Sequence, residues 1–246
     1  MKTKLTSFFL ILIFISGCKI DVDGSFVDTI INRSIEVSGG SKFKNSVIDF
    51  DFRGRHYKAI RIDGLFQYER EFQDSLGVIK DVLSNSGYER FLNNQPFLPH
   101  DTMAVKYARS VNSVHYFSVL PFGLNDEAVN KTYLDSLLIK GKKYHKIKVD
   151  FDKDGGGEDH EDVFVYYVNA ETYKVDYLSY IYFVDGGGIR FREAYNERYV
   201  NGLRFVDYNN YKSENDSIDL YALDSLYQLN KLKLLSKIEL ENISVQ

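Results

Sequence analysis

The stretch Val47-Ile48-Asp49-Phe50-Asp51-Phe52-Arg53-Gly54-Arg55-His56-Tyr57-Lys58-Ala59-Ile60-Arg61-Ile62-Asp63-Gly64 decides the fold. From Ile48 to Phe52 apolar and acidic residues alternate, which is the two-residue period of a half-buried strand. Gly54 marks a short turn, and Tyr57 onward returns as a second strand. Outward from this hairpin, Leu65 to Phe72, Val78 to Leu83 and Tyr88 to Leu92 extend a meander. In the second half, strands are expected at Tyr144 to Phe151, Val163 to Val168, Lys174 to Val184, Ile189 to Tyr199 and Leu203 to Tyr211. A short helical turn from Leu220 and a last strand over Leu232 to Leu240 close the chain.

Composition points the same way. Aromatic residues make up 15% of the chain and there are only 3 prolines, Pro96, Pro99 and Pro121, gathered in the middle. The strand-like stretches on either side keep every ladder donor. Two segments break the pattern. Ser25 to Val37 places Phe26, Ile30, Ile31 and Val37 at roughly helical spacing and stops at Gly39-Gly40. Asp101 to Val119 places Met103, Val105, Tyr107, Val111, Val114 and Phe117 on an amphipathic helix that ends before Pro121. The expectation is a mainly β fold with helices: a large curved antiparallel sheet, a half-open barrel, packed around an N-terminal and a central helix.

Lys2 and Lys4 precede an apolar run from Leu5 to Ile15, the charged and apolar regions of a signal peptide, too short to span a bilayer comfortably. The run closes on Ile15-Ser16-Gly17-Cys18, which resembles a lipobox. Residues 1–17 are therefore expected to be a signal peptide, Cys18 the lipidation site, residues 18–25 a short tether, and 26–246 a single domain. The expected address is the cell envelope, lipid-anchored, most simply on the outer membrane facing the periplasm or the cell surface. Cys18 is the only cysteine, so the domain has no internal disulfide and relies on its core. A net charge of −4 from 31 basic and 35 acidic residues gives no electrostatic footprint for DNA or RNA. The expected partners are the membrane, through the anchor, and a lipid or other apolar ligand; no nucleic-acid partner is expected, and the domain is read as a monomer.

Val163-Phe164-Val165-Tyr166-Tyr167, Tyr173 to Tyr180, Gly186-Gly187-Gly188-Ile189-Arg190-Phe191-Arg192-Glu193-Ala194-Tyr195-Asn196 and Asn201 to Tyr208 resemble an uncharacterised family of bacterial lipoproteins. Some members of that family carry a deoxyribose-phosphate aldolase label, which a β-rich meander does not support, because that enzyme is a βα barrel. More remotely, the order of helix, strands, central helix and long hairpins is similar to the half-open barrel of periplasmic lipoprotein carriers and their outer-membrane receptor. That resemblance implies a concave sheet and helical lids enclosing acyl chains.

Two stretches carry candidate sites. Asp150, Asp152, Asp154, Gly156, Glu158 and Glu161 occupy the ligand positions of a twelve-residue calcium loop, with Gly155 at the sharp turn. The alternative is an acidic, glycine-rich hairpin, because the flanks read as strands rather than helices. His145 and His160 bracket this loop and bring a transition metal to mind with Asp159 or Glu161, though no HExxH pair or spare cysteine supports it. In Gly186 to Glu193, alternation puts Arg190 and Arg192 on one strand face and Ile189, Phe191 and Glu193 on the other. With Tyr177 and Tyr180 these arginines form a candidate ligand site for a carboxylate or phosphate head group. The competing expectation is a solvated face on which the arginines pair with Asp176 or Asp207 of neighbouring strands. No GxSxG elbow, P-loop or GxGxxG is present. The sequence thus favours a non-catalytic binding or carrier domain for an apolar or amphipathic ligand. Its alternatives are an envelope scaffold, stabilised by calcium, and a hydrolase with a dispersed site.

Overall fold

The computed structural model describes residues 24–157, 159–215 and 218–246, so the expected signal peptide, Cys18 and Glu158 lie outside the described residues. Helix α1 (Gly24–Ser38) covers the expected span. Val27, Ile30 and Ile31 are buried on its inner face, while Phe26 is exposed. The helix stops at Gly39, whose φ of +136° is closed to L-residues and whose missing Cβ leaves room for Leu203.

Six antiparallel strands follow: β1 (Asn45–Phe52), β2 (Arg55–Ile62), β3 (Leu65–Asp74), β4 (Gly77–Ser84), β5 (Gly87–Leu92) and the two-residue β6 (Gln95–Pro96). The opening hairpin pairs without a break from Asn45↔Ile62 to Phe52↔Arg55. Its two-residue turn puts both Arg53 (φ 52°) and Gly54 (φ 69°) in the left-handed region, the turn whose twist matches that of the strands. Ile48, Phe50, Phe52, Tyr57 and Ala59 all point inward, as their alternation requires. Truncating a fully buried ring such as Phe50 to alanine costs about 3–5 kcal/mol.

Helix α2 (Asp101–Ser118) then leads into β7 (Val129–Ile139), β8 (Lys142–Phe151), β9 (Val163–Asn169), β10 (Val175–Tyr182), β11 (Gly188–Val200) and β12 (Leu203–Lys212). The short helix α3 (Leu223–Gln228) precedes β13 (Lys233–Ile238) and β14 (Glu241–Val245). The strands form two seven-stranded antiparallel sheets, ordered β14-β1-β2-β3-β4-β5-β6 and β13-β12-β11-β10-β9-β8-β7. The chain crosses from the second sheet to the first between β13 and β14. There Leu240 is buried and its N–H donates to Asp207 Oδ1 at 3.0 Å. The fold is the expected half-open barrel, its wall divided into two parts. Two details depart from expectation: β7 is an additional strand, and so is β14, which follows the expected strand over Leu232 to Leu240 (β13) and joins the other sheet.

The main core joins α1, α2 and the inner faces of both sheets, with Phe43, Ile48, Phe50, Tyr166, Leu203 and Phe205 almost wholly excluded from water. Alternation sends Val165, Tyr167, Tyr177 and Phe191 to the other face of the second sheet, where Leu223 and Tyr227 of α3 cover them.

Candidate functional site

Helix α2 carries two faces. One is fastened to the first sheet. Asp81, fully buried on β4, accepts from Arg70 Nε and Nη2 (2.9 and 2.6 Å) and from Arg90 Nε (2.6 Å). Burial works to raise the Asp81 pKa, but hydrogen bonds from Arg90, Tyr88 and Arg70 outweigh it and hold the carboxyl below its usual range. The two guanidiniums reach the helix: Arg70 Nη1 donates to Ser110 Oγ at 2.7 Å, and Arg90 lies 3.4 Å from the Tyr107 ring centroid. One turn further on, His115 is completely buried and stacked on Tyr68. Burial pushes its pKa down to about 3, so the ring is neutral, and Nε2–H donates to the Glu69 carbonyl at 3.0 Å.

The other face of α2 looks across at the second sheet and leaves a cleft of about 440 Å³, within the range of roughly 300–1,000 Å³ typical of small-molecule sites. Tyr116, Phe117 and Leu120 line it from the helix side; Phe164, Leu178 and Tyr180 line it from the strands. The aromatic walls are mutually braced. Phe164 stacks on Tyr180 with ring centroids 5.3 Å apart, and the Tyr116 and Tyr166 hydroxyls share a hydrogen bond of 2.8 Å.

Arg190 and Arg192 enter this cleft from β11 on the face their alternation assigned them. Arg192 Nη2 donates to Tyr180 OH and Arg190 Nη2 to Tyr182 OH, each at 2.8 Å. Among the described residues neither has a carboxylate partner. The expected pairing with Asp176 or Asp207 does not form, because Arg204 lies 3.7 Å from Asp176 and Arg198 2.9 Å from Asp207. Arg192 is instead surrounded by rings, 5.1 Å from the Phe117 centroid, 4.9 Å from Tyr180 and 5.8 Å from Tyr208. Its buried Nε has no hydrogen-bond partner among the described residues.

The β8–β9 loop closes one end. Asp159 pairs with Arg109 of α2 at 3.1 Å. Asp162 beside it is buried, and its pKa is pushed up to about 6, first by burial and then by Asp159 and Glu161, against the opposing effects of Phe183 N–H and Arg109. The site therefore has an acidic group that changes charge near neutrality.

Of the other expected site residues, Tyr180 lines the cleft but Tyr177 does not. Three positions away along a strand is the opposite face, and Tyr177 packs there against Tyr144, Phe191 and Tyr227. In the acidic loop, Asp150 pairs with Lys148 at 2.5 Å and Asp152 accepts from Asn130 Nδ2 at 2.8 Å, while Asp154 and Glu161 are exposed. Gly156 contacts His160 and the Asp152 carbonyl so closely that no Cβ fits. Among the described residues no three His, Cys, Asp or Glu side chains converge as a metal site would need. His56 meets Asp51 at 2.9 Å and Asp49 at 3.3 Å on the exposed side of the first sheet, in neither cleft wall. Sequence reasoning missed Arg109, Tyr116 and Asp162. Only the docking of α2 and of the β8–β9 loop brings them to the strand arginines.

The family of unknown function designated DUF6503 matches residues 4–241, which bears out the resemblance to an uncharacterised family. No curated protein matches. Among solved structures, a LolA superfamily protein from Nitrosomonas europaea is similar over 89% of this chain and 91% of its own, at 9% identity and a TM-score of 0.47. A DUF1329 family protein from Desulfovibrio piger is similar over 89% and 92%, at 8% identity and 0.42. An outer membrane lipoprotein-sorting protein domain from Vibrio parahaemolyticus is similar over 73% and 86%, at 10% identity and 0.38. At such scores these likenesses carry no functional argument.

Proposed function

We propose, for a chain that belongs to the DUF6503 family of unknown function, that it is a non-catalytic binding domain whose cleft between α2 and the second sheet takes an apolar or amphipathic ligand. The observation that carries this reading is the make-up of the cleft. Phe117, Leu120, Phe164 and Leu178 give it an apolar stretch, Lys106, Arg109, Asp159 and Asp162 add a charged rim, and Arg190 and Arg192 have no carboxylate partner among the described residues. An apolar chain gains about 25 cal/mol for each Å² it removes from water against such walls. Guanidiniums already braced by tyrosine hydroxyls receive an anionic end at little ordering cost.

The envelope address belongs to the same proposal and rests on the Lys2-to-Cys18 sequence: export, cleavage before Cys18 and a lipid anchor would keep the cleft close to a membrane. Among the described residues no histidine approaches a carboxylate within the cleft, and the buried one, His115, is neutral and bonded to a backbone carbonyl. A binding role therefore fits the cleft better than hydrolysis does.

Titrating the purified mature protein with an environment-sensitive long-chain fatty acid tests the reading. The expected result is saturable binding that weakens about tenfold or more, a loss of about 1.4 kcal/mol, when Ser113→Trp fills the cleft from the exposed side of α2. Binding that never saturates, or that Ser113→Trp leaves unchanged, contradicts it.

A further inference from the structure

A second cleft of about 420 Å³ lies along the same helix, toward the β1–β2 turn. Ser110, Ser113, Phe117 and Arg192 line both clefts, so the two meet along α2. Their chemistry differs. The second is lined by Arg53, Arg55 and Arg192 and by no aspartate or glutamate. Arg53 lies 5.0 Å from the Phe52 ring centroid and Arg55 4.6 Å from that of Phe72. Stacking occupies the faces of a guanidinium and leaves its N–H edge directed outward. Among the described residues none of the three arginines has a carboxylate partner. Three cations around one concavity with nothing to neutralise them make an anion site.

A second observation points to a ligand rather than to a solvated patch. Asn210 sits directly across the β11–β12 ladder from Arg192 and is only 7% exposed. Its Nδ2 donates to Ser236 Oγ at 3.2 Å, but its buried Oδ1 has no partner among the described residues, and neither does the buried Nε of Arg192 beside it. An acceptor and a donor left open side by side at the wall of a cleft are rare in a folded protein. A molecule that presents a hydroxyl together with an oxyanion satisfies both.

We infer that the second cleft is a subsite for a hydroxyl-bearing phosphate ester, with its oxyanion on Arg53, Arg55 and Arg192 and its hydroxyl on Asn210 Oδ1. A tetrahedral phosphate offers oxygens in enough directions for three guanidiniums arriving from two strands and a turn, which a planar carboxylate does not. The inference rests on the ligand-binding reading of the first cleft in one respect: when the ester is a lipid head group, its acyl chains run past Phe117 into that cleft. The ligand is then an anionic phospholipid of the phosphoglycerol type. The same phosphate chemistry also arises in a free ester, and the test separates the two.

The mature protein is titrated with three probes: short-chain phosphatidylglycerol, diacylglycerol with the same chains, and glycerol phosphate. Each titration is repeated on the double variant Arg53→Asn, Arg55→Gln; both positions are exposed, and asparagine tolerates the left-handed backbone at position 53. The expected result is that phosphatidylglycerol binds about tenfold or more tighter than diacylglycerol, and that the double variant abolishes the difference without weakening diacylglycerol. Glycerol phosphate binding as tightly as phosphatidylglycerol, and depending on the two arginines, supports the subsite but assigns it to free esters. Equal affinity for both lipids, unchanged in the variant, overturns the subsite and leaves the first cleft's role standing. Failure of both lipids to bind overturns the first cleft's role, and the glycerol phosphate arm alone then decides the subsite: arginine-dependent binding supports it, and no binding overturns it.

Discussion

The guanidinium of Arg192 on β11 lies over the ring of Phe117 on α2, 5.1 Å from its centroid, at the place where the two clefts meet. One strand residue and one helix residue thus join the apolar and the cationic parts of the proposed site. The contact also ties the free face of α2 to the second sheet, while Arg70, Arg90 and Glu69 tie the opposite face to the first.

Replacing Arg192 by glutamine removes the charge that serves both clefts. Affinity for an anionic amphiphile should fall about tenfold to a hundredfold, the roughly 1.5–3 kcal/mol carried by a hydrogen bond to a charged group. Affinity for a neutral chain of equal length should change little. Isothermal titration of both ligands on both proteins measures the split.

Asp162 makes the cleft sensitive to pH. Its folded-state pKa of about 6 lies above the ordinary value of 3.8, so between those values the folded protein holds a proton that the unfolded chain releases. Its contribution to stability is greatest below pH 4 and is lost as pH rises through 6. Asp159, Glu161, Arg109 and Phe183 N–H set the field around it, and the side-chain amide of the variant Asp162→Asn stays neutral throughout. The variant should melt higher than the parent at pH 7, by roughly 2–4 °C for each kcal/mol recovered, and match it near pH 4. Thermal scans across that interval test the sign. Anionic ligands should likewise bind the parent more tightly below pH 6 than above it.

Asp81 is the sole carboxylate bonded to both Arg70 and Arg90 among the described residues. Asp81→Asn strands two buried cations beneath α2 and should cost about 3–5 kcal/mol, read as a lower urea midpoint. Because the Asp81 pKa is lowered in the folded state, the stability it contributes is present above the ordinary carboxylate value and is lost as pH falls below that value through the lowered folded-state pKa.

The acidic loop supplies a separate test. With Asp150 held by Lys148 and Asp152 by Asn130, millimolar calcium should leave the melting temperature where chelator leaves it. A calcium-dependent rise would restore the calcium-loop reading of Asp150 to Glu161.

The meander β1 to β5 of the first sheet was legible because alternation in Ile48 to Phe52 and glycine-bearing turns act locally. The strand β7 was not: a register shift between Tyr133 and Asp135 breaks its two-residue period midway. The crossing between β13 and β14 carries no glycine or proline, and what makes it a corner is the distant Asp207 carboxylate that receives Leu240 N–H. For the site, alternation correctly put Arg190 and Arg192 on one face, and the same rule separates Tyr177 from Tyr180. The helix residues Tyr116 and Phe117 and the basic turn at Arg53 to Arg55 lie far along the chain from β11. Their meeting with Arg192 is a product of tertiary docking that no local pattern encodes.

The most direct measurement is native mass spectrometry of the protein purified from cells that express it, beside the Ser113→Trp variant. The expected spectrum shows a non-covalent, acyl-bearing adduct on the parent that collisional activation removes and that the variant lacks. A parent with no adduct, which also takes up none when incubated with phospholipid, would contradict a ligand-binding cleft.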